Sequence, residues 1–380
     1  MSAGNVSVVP DRDADRRFMG VARDLAACIP ARPWPNPPVG AVVVRDGAIV
    51  GRGAHRGAGQ PHAERVALDA AGEQARGATL YCTLEPCNHH GRTPPCSEAI
   101  VAAGVARVVL GVADIGEVAR GGADHLRAAG VAVDGGVLAG ACLDLVWPFV
   151  CTDGFARPYV ELKTATSLDG RFGGAADRPG RPAYLTGEIA RRDVHARRRW
   201  VDLVLVGRAT ARHDRPRLDA RLAEDPADGP AAQPQAGVVA HDGGRDAPLA
   251  RERWLVFHSD EAAHTLPDGA EGVPCRSRPD GAVDPAEVVA KAAARGIRAI
   301  MVEGGPRLAA AFLAAGLVDR WVQYLAPMVK GDGPTWPAWT AGTPAFTLTR
   351  SDRLGPDLRV VWDRRDFAAE MRQRGAREAV

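Results

Sequence analysis

No apolar stretch in this chain approaches the ~18–20 residues needed to cross a bilayer. Met1 to Arg17 mixes acidic and basic residues and has no signal-peptide core. Together these lacks point away from the membrane and toward a cytoplasmic protein. An excess of one charge is also missing: 48 Lys and Arg stand against 46 Asp and Glu, for a net +2. A dedicated nucleic-acid surface normally shows as a basic excess, so no nucleic-acid partner is expected. There is no Gly-x-Gly-x-x-Gly, which removes the sequence signature of a Rossmann domain. No internal repeat appears. The seven cysteines are an odd number without the look of a secreted disulfide framework. In a reducing compartment, closely spaced cysteines read as metal ligands or catalytic groups.

What is present is ordinary globular material. The 380 residues are 46% hydrophobic, enough for two or three cored domains. Apolar runs Val39–Val44 and Ala48–Gly53, joined through Asp46-Gly47, read as a hairpin. His62–Ala75 reads as a helix with Val66, Ala67 and Ala70 on its apolar face. Strands are expected at Thr79–Leu84, Val105–Val112 and Val131–Val133. Helices are expected at Ser97–Ala103 and Ala123–Ala129, each stopped by a glycine. This alternation predicts a layered α/β domain. The second half starts near Arg157-Pro158. It shows strands at Tyr159–Ala165, Val201–Gly207, Trp254–His258 and Ile297–Val302, with helices at Gly187–Trp200 and Pro306–Ala315. Ala223–Pro248 reads as a long surface loop holding at most a weak strand at Val238-Val239. The motifs of the two halves differ, so the expected domains are 1–154 and 155–380.

The strongest chemical signal is His62-Ala63-Glu64 followed by Pro86-Cys87 and Cys96. Zinc takes nitrogen and thiolate ligands tetrahedrally, and a catalytic zinc keeps one position for water. His62, Cys87 and Cys96 supply three ligands for one zinc ion per chain. Glu64 is placed to take a proton from water and deliver it to a leaving nitrogen, which is the logic of zinc deaminases. A purely structural zinc site would need a fourth protein ligand and would leave Glu64 without a role. The remaining cysteines, Cys28, Cys82, Cys142, Cys151 and Cys275, read as buried thiols.

Zinc deaminases usually carry Pro-Cys-x-x-Cys, whereas here eight residues separate Cys87 from Cys96. That insertion, with Asn36-Pro37-Pro38-Val39-Gly40, Pro61-His62-Ala63-Glu64 and Thr83-Leu84-Glu85-Pro86-Cys87, resembles the RibD family of bifunctional riboflavin-biosynthesis enzymes. The resemblance implies a cytidine-deaminase-like three-layer α/β/α domain followed by a dihydrofolate-reductase-like α/β domain. The implied deaminase substrate is a pyrimidine ribotide, 2,5-diamino-6-ribosylamino-4(3H)-pyrimidinone 5′-phosphate. Asn36, His89, Arg92 and Asp114 would contact it, and a homo-oligomer is implied.

In the second half, Leu162-Lys163-Thr164-Ala165-Thr166-Ser167-Leu168-Asp169-Gly170, Val206-Gly207 with Thr210, and Glu303-Gly304-Gly305 resemble the same family's reductase domain. It would use NADPH to reduce the ribosyl side chain to ribityl. Lys163, Arg198, Leu218, Arg221 and Glu303 would contact substrate by position. Ala165, Tyr184, Thr210, Asp214, Gly305, Pro306, Arg307 and Leu308 would contact NADPH. The sequence departs from the family pattern at Gly116, where an Asn is usual, and at Pro182, where a Ser is usual. His213-Asp214-Arg215-Pro216 replaces Ala-Asp-Asp-Pro, and Ala175–Arg181 is longer than usual. These departures motivate a second reading, a paralogue with an active deaminase and an altered or silent reductase serving another pathway. A third reading, a nucleic-acid-editing protein on the deaminase fold, would need a basic groove, which a net charge of +2 does not suggest.

Overall fold

The computed structural model describes residues 11–29, 36–90, 94–114, 120–155, 157–173, 184–221, 233–244, 253–259, 266–338 and 345–365. The chain divides into two compact units at Gly154/Phe155.

The first unit is built on a five-stranded sheet. Its strands are β1 (Gly40–Arg45), β2 (Ala48–Ala54), β3 (Thr79–Leu84), β4 (Arg107–Val112) and β5 (Ala132–Asp134). They lie in the order β2-β1-β3-β4-β5. β1 pairs antiparallel with both β2 and β3, and β3, β4 and β5 run parallel. The β1–β2 turn has Asp46 at φ 51° and Gly47 at φ 76°. Two consecutive positive φ values make the type I′ hairpin that Asp-Gly favours.

Side chains alternate across this sheet with period two. Ala41 and Val43 face a core shared with α2 (Ala63–Ala71), α3 (Cys96–Ala102) and α4 (Gly122–Ala128). Val42 and Val44 face Phe18, Met19 and Ala22 of α1 (Arg12–Ala27) and Cys142 of α5 (Ala139–Phe155). The result is three layers, α/β/α. α1 is not expected from the polar N-terminal stretch. Its buried residues Phe18, Met19, Ala22 and Ala26 recur at helical spacing, and Asp11 caps it by accepting from the Asp13 and Ala14 N–H groups.

Three expectations need correction. Ala70 is exposed, and α2 instead buries Ala63, Glu64, Ala67, Leu68 and Ala71. The expected single helix to Ala75 breaks at Gly72 (φ 54°) into a 3-10 turn, Gly72–Ala75. Cys28 is exposed, because it caps the end of α1 beyond the buried stripe.

Among the described residues, the second unit carries nine strands in the order β10-β9-β8-β7-β11-β6-β12-β14-β13. They are β6 (Tyr159–Ser167), β7 (Leu203–Gly207), β8 (Gln235–Val239), β9 (Leu255–Ser259), β10 (Glu271–Cys275), β11 (Ala299–Val302), β12 (Arg320–Ala326), β13 (Phe346–Leu354) and β14 (Asp357–Arg364). All pairs from β10 to β12 are parallel, and the β12–β14–β13 pairs are antiparallel. β8 corrects the loop reading of Ala223–Pro248, since it lies between β7 and β9 with Ala236 and Val238 buried. The helices are α6 (Glu188–Arg198), α7 (Arg208–Asp214), α8 (Pro285–Ala293) and α9 (Pro306–Ala314). Among the described residues, no helix is long and apolar enough to cross a membrane.

Candidate active sites

The first site lies where β3 ends and two helices begin. His62 is the N-cap residue of α2, Cys87 follows β3 by three residues, and Cys96 opens α3. The Cys87 loop is tied to α3 by its backbone: Ser97 N–H donates to the Cys87 carbonyl (3.2 Å), and Cys96 N–H points at Cys87 Sγ (3.4 Å). His62 Nδ1 lies 3.5 Å from Cys87 Sγ and 3.3 Å from Cys96 Sγ. Donors on a zinc tetrahedron sit about 3.5–3.8 Å apart, given bonds of ~2.3 Å to sulfur and ~2.0 Å to nitrogen. The three side chains therefore fit a zinc ion. Among the described residues no fourth side chain joins them.

Electrostatics at the site follow from burial and proximity. The hydrogen bond from Cys96 is the largest influence on Cys87. With His62 it outweighs burial and brings the Cys87 thiol down to about 4. The same bond pushes Cys96 up. Glu64 is 4% exposed, and burial pushes its carboxyl up to about 7.

Two residues outside the expected set organise the surroundings. His55, buried at 2% exposure, stands edge-on to His62 with ring centroids 5.2 Å apart. Its Nδ1 lies 3.1 Å from the Pro61 carbonyl, which can only accept, so its Nε2 accepts from Asn36 Nδ2 at 2.9 Å. Asn36 is thereby brought to the site. Glu85 accepts the Asp114 N–H (3.0 Å) and the Ala123 N–H (2.8 Å), fixing the backbone of Asp114 beside the Cys87 loop. His89 carries a buried Nδ1 with no hydrogen-bond partner among the described residues. Arg92 and Gly116 lie outside the described residues.

The second site gathers at β6, β11 and the end of α6. Glu303, just past β11, receives Arg198 in a two-pronged pair (Nε 2.5 Å, Nη2 2.8 Å), and Lys163 Nζ of β6 stands 4.0 Å away. Burial alone would raise Glu303. The Arg198 and Lys163 charges outweigh it and hold the carboxyl below the ordinary range. Burial, with Arg198 nearby, lowers Lys163. Burial raises Asp214 against the opposing pull of His213 and Lys163. Ala165 is half-buried on the same strand as Lys163.

The Glu303-to-Leu308 turn sits against the start of α7. Glu303 N–H donates to the Leu205 carbonyl (2.8 Å), and a Cβ added at Gly305 would lie 3.9 Å from Thr210 Oγ1. Pro306 opens α9 and Arg307 is exposed. Tyr184 is 60% exposed, with the Arg191 guanidinium 4.7 Å from its ring centre. Leu218 is buried at φ 52°, and Arg221, half-exposed, pairs with Asp219 at 2.6 Å. Pro182 and Ala175–Arg181 lie outside the described residues.

The cytidine and deoxycytidylate deaminase zinc-binding region matches residues 12–112, and the RibD C-terminal domain matches residues 158–360. Riboflavin biosynthesis protein RibD of Escherichia coli is 37% identical over 363 residues, covering 90% of this chain and 98% of that protein. Its Mycobacterium tuberculosis counterpart is 39% identical over 348 residues, covering 90% and 94%. Among solved structures, the Thermotoga maritima diaminohydroxyphosphoribosylaminopyrimidine deaminase/5-amino-6-(5-phosphoribosylamino)uracil reductase superposes with a TM-score of 0.77 at 31% identity. It covers 93% of this chain and 100% of that one. Acinetobacter baumannii RibD gives 0.74 at 32% identity, covering 93% and 99%.

Proposed function

The chain belongs to the RibD family, and from that premise we infer that its two sites carry out consecutive steps of riboflavin biosynthesis. The first converts diaminohydroxyphosphoribosylaminopyrimidine to 5-amino-6-(5-phosphoribosylamino)uracil, and the second reduces that product. We place deamination in residues 1–154 and reduction in 155–380.

The observation that carries the first assignment is the triangle of His62 Nδ1, Cys87 Sγ and Cys96 Sγ beside a buried Glu64. Zinc supplies the Lewis acidity that makes water nucleophilic near neutral pH. Glu64 takes the proton that water gives up and passes it to the amino nitrogen as the carbon–nitrogen bond breaks, so ammonia leaves and oxygen takes its place. Asn36, His89 and Asp114, with Arg92 in the insertion, are assigned to hold the ribotide.

In the second unit NADPH supplies the hydride that goes to C1′ of the open-chain sugar. Lys163, held at Glu303, is assigned to orient the reacting carbon, with Arg198, Leu218 and Arg221 around the substrate. Ala165, Tyr184, Thr210, Asp214 and the Gly305, Pro306, Arg307 and Leu308 turn are assigned to the nucleotide. A homo-oligomer follows from family resemblance alone. A cytoplasmic location is supported by the seven free cysteines, and the absence of a nucleic-acid partner by the near-balanced charge.

The test is product analysis with zinc-loaded protein, the ribotide and NADPH. Mass spectrometry reads exchange of an amino group for oxygen and gain of two hydrogens separately. Glu64→Gln is expected to stop the first change by roughly 10²–10⁴-fold while zinc stays bound and reduction of the deaminated intermediate continues. Loss of zinc in that variant, or full deamination, would exclude Glu64 as the proton carrier.

A further inference from the structure

Two of the assigned substrate contacts of the second unit, Leu218 and Arg221, bound a strained turn. Leu218 is neither glycine nor asparagine, yet its φ is 52° and its side chain is buried. Bulky residues in that region are genuine outliers. They persist only where the surroundings over-determine them, and ligand clamps are where they collect.

The restraints come from three directions. From α6, Arg198 Nη1 donates to the Asp219 carbonyl (3.0 Å), and His195 Nδ1 lies 3.0 Å from that carbonyl and 3.2 Å from the Arg221 backbone nitrogen. From the segment leading into β8, Gln233 closes two bonds on one residue. Its Oε1 accepts the Ala220 N–H (2.8 Å) and its Nε2 donates to the Ala220 carbonyl (3.0 Å). Inside the turn, the Asp219 carboxylate pairs with Arg217 (3.0 Å) and Arg221 (2.6 Å).

One ring nitrogen of His195 faces both a carbonyl and an N–H, and it can serve only one. Arg198 already supplies the carbonyl, so the lone pair of Nδ1 goes to the Arg221 N–H. That arrangement needs a neutral ring with its hydrogen on Nε2. Burial, joined by the Arg198 charge, holds His195 below the usual histidine range and favours that form. The two arginines flanking this histidine then differ in use. Arg198 is spent on Glu303 with 11% of its side chain exposed, whereas 48% of Arg221 faces outward. A planar guanidinium presented outward is suited to a phosphate.

We propose that His195 and Gln233 are positioning residues of the reductase, holding the Leu218–Arg221 turn so that Arg221 meets the phosphate of the substrate. This rests on the reading of the second unit as the reductase and of Arg221 as a substrate contact.

The experiment uses the full-length zinc-loaded chain, saturating NADPH, and two substrates: the deaminated ribotide and the same compound without its phosphate. His195→Ala and Gln233→Ala are expected to raise KM for the ribotide about 10-fold with kcat within about 2-fold, as loss of one or two backbone hydrogen bonds would. KM for the dephosphorylated compound stays unchanged. His195→Gln keeps a carbonyl acceptor and restores most of the ribotide KM. Deamination by the same preparations stays at wild-type rate and reports an intact chain. Unchanged ribotide KM in His195→Ala and Gln233→Ala, or equal losses on both substrates, overturns the clamp. Arg221→Ala separates the clamp from the contact it serves. If it raises the ribotide KM while the His195 and Gln233 variants do not, the clamp alone fails. If it has no effect, or if the wild type does not distinguish the two substrates, the phosphate reading fails and the proposal with it.

Discussion

Gly53→Ala is expected to cripple deamination while sparing reduction, because of where its new methyl group must go. A Cβ at Gly53 would lie 2.0 Å from the Ala63 carbonyl oxygen, 2.7 Å from Ala67 N and 3.0 Å from Val66 Cβ. Carbon–oxygen contacts are ordinarily no closer than about 3.3 Å, so strand and helix must part by roughly 1 Å. The obstacle is helix backbone and cannot rotate aside. β2 is bonded along its length to β1, so α2 is the element displaced. Overpacking of this kind costs ~1–3 kcal/mol. Its functional cost is larger, because the first turn of α2 carries His62 and Glu64. The 3.3 and 3.5 Å donor spacings leave no slack for such a shift. Misplacing a reacting group by about 1 Å costs on the order of 10²-fold in rate.

The expected outcome is a deaminase kcat/KM down by about that factor, zinc lost more readily to a chelator, and a reductase rate within about 2-fold of wild type. Gly51→Ala provides the graded control. Its Cβ would meet Ala67 O at 2.1 Å, one turn further from the zinc donors, so its effect on zinc retention is smaller. The assays are product analysis for each step and metal content after dialysis against chelator. Wild-type deamination with full zinc in Gly53→Ala would refute the idea that this backbone contact sets the donor positions.

Asp15→Asn removes a carboxylate that accepts from Tyr81 Oη (2.8 Å) and from both terminal nitrogens of Arg107 (2.9 and 2.8 Å). Arg107 keeps Asp134 as a partner (2.7 Å) but loses its charge-assisted bonds to Asp15, so the first unit should lose ~1.5–3 kcal/mol in denaturant titrations at neutral pH. Burial opposes ionisation of Asp15, but Arg107 and Tyr81 outweigh it, so its folded pKa lies below 3.8. Its contribution is therefore complete above that value and lost as pH falls below it, and Asp15→Asn should flatten the acid limb of stability against pH. Arg215→Asn replaces a residue at φ 45°, ψ 51° by one that tolerates the left-handed region. It should stabilise the second unit by ~0.5 kcal/mol, or about 1–2 °C in a calorimetric scan. Lys163→Gln removes the cation facing Glu303 at 4.0 Å and should lower the reduction rate on the order of 10²-fold with deamination unchanged, as read by NADPH absorbance.

What is legible in this chain depends on whether a feature is local. The hairpin at Asp46-Gly47, the strand Thr79–Leu84 and the ordered spacing of His62, Cys87 and Cys96 are short-range patterns with a fixed physical meaning, and the structure has all of them. β8 leaves little trace in the sequence because a five-residue strand buried by neighbours on both sides needs no alternation of its own. α1 is hidden because its apolar stripe is narrow within a charged segment. Glu85 and His55 are invisible for a different reason. Their partners, Asp114 and Ala123 for one and Asn36 and Pro61 for the other, are set by folding and not by spacing. His195 leaves one weak signal, its place one turn ahead of Arg198 on the same helix.

The departures in the second half weigh less than their number suggests. Arg215 closes α7 in the left-handed conformation, its N–H donating to the Ala211 carbonyl. The Asp that usually occupies that position suits the same backbone, so the exchange alters a cap. Asp214, electrostatically coupled to Lys163, is kept. The decisive feature is the cluster of Lys163, Arg198 and Glu303. Arg198 and Glu303 expose only 11% and 7% of their side chains, and taking such charges from water carries a cost that folding alone does not require. Apolar residues of similar volume would hold β6, β11 and α6 together as well or better. A buried charged cluster at the mouth of a parallel sheet, next to a glycine-rich turn opening a helix, is costly architecture for a silent domain. It is what a reductase needs to hold a charged substrate against its cofactor, and it favours the bifunctional reading over a paralogue that has lost its second reaction.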